Sequence, residues 1–97
     1  MDALRELIDV LREAKTLLAL PGNDFGWSSW KDAPAALAEL DRQIAVIEGG
    51  RLPPRLDVAV LFAPTGPMQE VSLSSGWGQQ FLVLATRFDA AARRVYA

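Results

Sequence analysis

Six apolar side chains in the last quarter of the chain, Trp77, Phe81, Leu84, Phe88, Ala91 and Val95, are separated alternately by four and three residues. That interval places all six on one face of an α-helix and scatters them over both faces of a strand, whose period is two. A helix with one such stripe gains little stability alone in water, so the rest of the chain must supply a surface that covers it. With 97 residues, residues 1–97 are expected to form a single small domain. Surface scaling at that length implies that folding hides roughly 64% of the unfolded chain's surface. A composition that is 51% hydrophobic is enough to fill the core.

Two further helices are expected upstream. From Asp2 to about Ala19, Leu4, Leu7, Ile8, Leu11, Ala14 and Leu18 recur at helical spacing, with Asp2 placed to cap the first amides and Pro21-Gly22 to stop the helix. From about Ala33 to Glu48, the stripe is Leu37, Leu40, Ile44 and Ile47, opened by Asp32 and Pro34 and closed by Gly49-Gly50. Between Leu56 and Leu73 the period reads as two. Leu56, Val58, Val60 and Phe62 alternate with Asp57, Ala59 and Leu61, and Ala63-Pro64-Thr65-Gly66 suits a tight turn. A hairpin in which paired residue numbers sum to 131 sets Val60 opposite Val71 and Val58 opposite Leu73. Ser74 and Ser75 then read as the N-cap of the last helix. The expected fold is therefore α+β: two N-terminal helices, a β-hairpin and a C-terminal helix (ααββα). The exposed strand edge favours a homodimer in which two hairpins join into a larger sheet.

The chain has no cysteine and no histidine, and its 10 basic and 12 acidic residues leave a net charge of -2. Those absences exclude a disulfide scaffold, a thiolate or imidazole active site and the usual zinc ligands. No metal site and no cofactor is expected. The near-balanced charge argues against a nucleic-acid binder. No apolar run approaches the roughly 20 residues that span a bilayer. The N-terminus lacks the pattern of a secretory signal, so a cytoplasmic location without membrane attachment is expected. Charged pairs along the helices, including Asp2 with Glu6 and Asp9 with Glu13, read as solvated faces. Arg93 and Arg94 read the same way, with Asp89 placed to pair with Arg93. Asp24-Phe25-Gly26 and Gly76-Trp77-Gly78 match fragments of kinase and dinucleotide motifs but lack their required surroundings.

What remains is a pair of Ser/Trp segments, Asn23-Asp24-Phe25-Gly26-Trp27-Ser28-Ser29-Trp30 and Ser74-Ser75-Gly76-Trp77-Gly78, which carry all three tryptophans. Aromatic walls with hydroxyl, amide and carboxylate contacts suit a small ligand or a peptide. Asn23, Asp24, Trp27, Ser28, Ser29, Trp30, Ser75, Gly76 and Trp77 are therefore the candidate binding residues, and no catalytic residue is assigned. The competing reading makes the same aromatics anchors and the serines and Asp24 caps. That reading explains each residue type without a ligand and is preferred.

The strings Leu20-Pro21-Gly22-Asn23-Asp24-Phe25 with Trp27-Ser28-Ser29-Trp30, Phe62-Ala63-Pro64-Thr65-Gly66-Pro67 and Ser74-Ser75-Gly76-Trp77-Gly78 resemble segments of small uncharacterised proteins of GC-rich bacteria, in the same order. The resemblance implies a bacterial source and a stand-alone domain, and it carries over no activity and no functional residue. The functional expectation is a non-catalytic interaction or regulatory module whose partner is a second copy or another protein. One alternative is an immunity-type protein that neutralises a toxin through an acidic patch. Another is a small-ligand binder or enzyme built on the Ser/Trp loops, with Asp24 buried beside Ser28 or Ser75.

Overall fold

Two aspartates start the two N-terminal helices as their sequence positions require. The Leu4 amide donates to Asp2 Oδ1 at 3.1 Å, and the Ala35 amide donates to Asp32 Oδ1 at 3.0 Å. In the structure, a computed structural model that describes residues 2–97, these helices are α1 (Ala3–Leu18) and α2 (Ala33–Glu48). At the end of α2 the Arg51 amide reaches the Val46 carbonyl at 3.1 Å and the Gly50 amide reaches Ile47 at 3.0 Å. This is the two-bond glycine stop foreshadowed by Gly49-Gly50. The remaining elements are α3 (Arg55–Ala59), a 3-10 turn (Val60–Phe62), α4 (Pro67–Ser75) and α5 (Gly78–Val95).

The expected hairpin does not form, and among the described residues there is no strand, so the domain is all-helical and not α+β. The residues chosen for burial show why. Val58, Leu61 and Phe62 are buried, at spacings of three and four, whereas Leu56 and Val60 are exposed. On the supposed second strand Met68, Val71 and Ser72 are buried and Leu73 is exposed. Both segments thus present a helical face to the core. The turn at Ala63-Pro64-Thr65-Gly66 is present, with the Gly66 amide bonded to the Ala63 carbonyl at 2.9 Å, but it joins two helical segments. Ser74 and Ser75 end α4 and do not cap α5, which begins after Trp77. The strand edge that motivated a homodimer is likewise absent from the described residues.

The long helices α1, α2 and α5 form an antiparallel bundle with α1 between the other two. Its middle position is visible in its burial. Leu7, Val10, Leu11, Ala14 and Leu18 are inaccessible to solvent, a face widened beyond the expected stripe to take in Val10. The α5 seam behaves as its spacing requires: Trp77, Phe81, Leu84, Phe88 and Ala91 are buried and Val95 is half-buried. The 3-10 turn and α4 also pack against α5, where Phe62 stacks on Phe88 with ring centroids 4.4 Å apart. Such stacking adds about 1 kcal/mol to the burial of the two rings.

One polar contact ties α1 to α5. The Arg87 guanidinium bonds Glu6 Oε1 at 2.9 Å and Glu13 Oε2 at 2.7 Å, bridging carboxylates two turns apart that sequence alone assigned to solvent. The hydrogen bond from Arg87 holds the Glu6 pKa below its ordinary 4.5, against a smaller opposing effect of burial. A depressed carboxylate pKa stabilises the fold above the ordinary value, and that contribution is lost as pH falls through the lower folded value. Arg87→Gln is therefore expected to lower stability by about 1 kcal/mol at neutral pH, the scale of a partly exposed ion pair. In urea unfolding, the difference between variant and wild type should shrink at about pH 3. A constant difference at both pH values would show that the fork contributes packing and not charge.

Candidate functional site

The sequence after α1 must turn a helix end without leaving its last carbonyls unpaired, and Asn23 provides the solution. Its Nδ2 donates to the Leu17 carbonyl at 2.9 Å and to the Leu18 carbonyl at 3.0 Å. Its Oδ1 accepts from the Trp77 indole Nε1 at 2.9 Å. One amide thus closes α1 and fixes the tryptophan that opens α5, with all its polar atoms satisfied. Gly76, in the left-handed region at φ 87°, ends α4 and lets the chain reverse directly into Trp77.

The remaining candidate residues sew the same loop to α4. The Asp24 amide donates to Ser75 Oγ at 2.8 Å, and Asp24 Oδ1 accepts from the Gly26 amide at 2.8 Å. Ser28 Oγ donates to the Pro67 carbonyl at 3.0 Å and accepts from the Trp30 amide at 3.2 Å. The loop therefore crosses α4 from its last residue to its first. Trp30 and Trp77 are packed into the core, 9% and 4% exposed, whereas Trp27 is 76% exposed. Ser29 is exposed as well.

The structure thus brings the two Ser/Trp segments together, although they lie about fifty residues apart in the chain. The meeting is a junction of helix ends. The buried Asp24 that an enzyme or small-ligand site required is not formed: Asp24 is exposed, and one carboxylate oxygen closes a local turn. The serine hydroxyls near it are committed to backbone groups. A groove of about 360 Å³ lies away from this junction, between α1 and α5 beside Leu17 and Val83, and one of about 320 Å³ beside Leu73 and Leu82 takes in Gly76 alone of the candidate residues. Sequence reading missed the Pro67 carbonyl as the receiver of Ser28, and no residue type announces a backbone acceptor. It also missed the Arg87 fork, whose partners are 81 residues apart for Glu6.

Comparison with protein-family models, with curated proteins and with solved structures gives no match. No described helix is long and apolar enough to cross a membrane.

Proposed function

We propose that this protein is a non-catalytic, cytoplasmic interaction module that binds another protein through the loop displaying Trp27. The observation that carries the reading is the contrast within that loop. Asn23 ties the loop to the end of α1 and to Trp77, and Asp24 and Ser28 pin it at the two ends of α4, yet the Trp27 indole stands in water. Exposing a large aromatic wastes its burial energy unless a partner covers it. Holding it on an immobilised loop reduces the ordering entropy lost on binding. Tryptophans presented in this way are the residues on which protein interfaces concentrate their binding energy. Half of the acidic residues are engaged in ion pairs with basic side chains, which favours this aromatic surface over an acidic toxin-plugging patch.

Trp27→Ala should leave folding stability within about 0.5 kcal/mol of wild type, as expected for a largely exposed side chain. It should also remove a specific partner from co-purification out of the native host, with the lost protein identified by mass spectrometry. Adding that partner to the wild-type protein should shift the emission of the exposed indole to shorter wavelength. Unchanged partner recovery with the folded variant would overturn the assignment.

A further inference from the structure

The charges of this molecule are unevenly used. Along the sides of the bundle they are paired: Arg5 with Asp9, Arg12 with Glu48, Lys15 with Asp41, Arg42 with Glu39, and Arg87 with Glu6 and Glu13. Arg51, Arg55, Arg93 and Arg94 enter no ion pair among the described residues, so the expected Asp89–Arg93 pair does not form; Lys31, before α2, is unpaired as well, but the four arginines all belong to the end where α1 begins and α2 and α5 finish. Arg51 and Arg94 line one groove of about 320 Å³ over Leu4, Leu52 and Val95. The Tyr96 hydroxyl donates to the Pro53 carbonyl at 2.8 Å, tying the end of α5 to the segment between Arg51 and Arg55. Arg55 and Asp57 both lie near enough for their charges to act on the Tyr96 phenol, in opposite directions. A second groove, about 370 Å³, opens on the other flank of Arg51 beside Val46 and Pro54. Leu52, between Arg51 and Arg55, and Leu56, which follows Arg55, are exposed, 45% and 76%.

We infer that this end of the bundle is a docking site for an acidic protein segment that carries apolar side chains. The argument is one of complementarity. A protein of net charge -2 has no general attraction for anions, so a positive end on it is a local feature that selects and orients a partner. Guanidinium groups form forked pairs with carboxylates. The exposed leucines and the two grooves add what a phosphate backbone does not use, namely apolar contact surface and sockets for side chains. Asp2 and Asp57 lie at the rim. They oppose an extended anionic surface such as a bilayer or a nucleic acid, but a peptide can place its carboxylates between them. The site stands at the opposite end of the antiparallel α1–α5 pair from Trp27, in a molecule 34 Å long, and it does not depend on the reading of that loop.

The test is fluorescence anisotropy with a labelled peptide of about 15 residues, rich in Asp and Glu with Leu at every fourth position. The comparison probes are the same peptide with Asn and Gln in place of the acids, a single-stranded DNA, and vesicles of phosphatidylserine and phosphatidylcholine. The acidic peptide is expected to bind most tightly, with affinity falling as salt is added. The double variant Arg51→Glu, Arg94→Glu should weaken binding by at least about tenfold, and Leu56→Ala by a few-fold. Trp27→Ala should bind as wild type does, which separates this surface from the proposed Trp27 interface. Arg51→Gln with Arg94→Gln serves as the milder pair, and circular dichroism confirms that each variant is folded. The inference is overturned if the acidic peptide fails to bind at millimolar protein, if the neutral peptide binds equally, if the folded arginine variants bind unchanged, or if DNA or vesicles bind more tightly.

Discussion

Gly66→Ala should destabilise the protein by about 3 kcal/mol, the upper range for forcing an atom into a filled interior. For a domain of this size that lowers the thermal midpoint by about 15 °C. The reason is space and not backbone freedom. Gly66 has φ -81°, which any residue adopts, but a Cβ there would lie 2.3 Å from the Val60 carbonyl oxygen and 3.1 Å from that of Ala63. Both obstacles are backbone atoms of the 3-10 turn and the reversal that follows it, so neither yields by a side-chain rotation. Relief requires α4 to move away from Phe62, and Phe62 is stacked on Phe88 of α5. The damage should therefore spread beyond the turn and appear as a single cooperative transition at lower temperature. An alanine variant that melts within 3 °C of wild type would show that the two segments do not approach so closely.

The same residue explains why the middle of the chain misled a reading from sequence. Leu56, Val58, Val60 and Phe62 satisfy a period of two, while Val58, Leu61 and Phe62 satisfy helical spacing, and so short a segment cannot separate them. The cues that decide lie outside the alternation. Pro67 is acceptable at the first position of a helix, Gly76 marks its end, and the nine residues from Pro67 to Ser75 fit between them. Treating Gly66 as the fourth residue of a hairpin turn concealed its role as the N-cap of α4. By contrast, α1, α2 and the seam of α5 are long enough for periodicity to dominate, and the caps and stops of α1 and α2 agree with it, although the expected serine cap of α5 belongs to α4. The Ser/Trp segments were legible as residues that belong together, but their division was not. That Trp30 and Trp77 are buried while Trp27 is exposed depends on which way a loop faces when it crosses α4, and no local spacing encodes that.

Asn23→Asp separates the structural part of that loop from its display part. The substitution keeps the shape and the acceptor for the Trp77 indole but replaces the donor to Leu17 and Leu18 with an oxygen facing two carbonyl oxygens. Leaving the Leu18 carbonyl without its donor and the Leu17 carbonyl with the Leu20 amide alone, both opposed by negative charge at the C-terminal end of α1, should cost about 2 kcal/mol at neutral pH. Two carbonyls and the negative helix end disfavour the charged form more than one indole N–H favours it, so the folded-state pKa of the introduced carboxyl is raised. A raised pKa means that the variant is least impaired below the ordinary aspartate range, near pH 4, and loses ground to wild type as pH rises through the folded value. Urea midpoints of both proteins across that range provide the measurement, and equal midpoints at neutral pH would refute the cap. Asn23→Ala should show a similar loss without the pH dependence, because it introduces no titrating group. If the loop serves to hold Trp27 in place for a partner, Asn23→Asp should also weaken that partner's binding at a temperature where the variant remains folded, even though Asn23 itself is only partly exposed. Binding unchanged under those conditions would mean that the indole engages its partner without the pinned loop, and the contribution assigned here to preorganisation would fall.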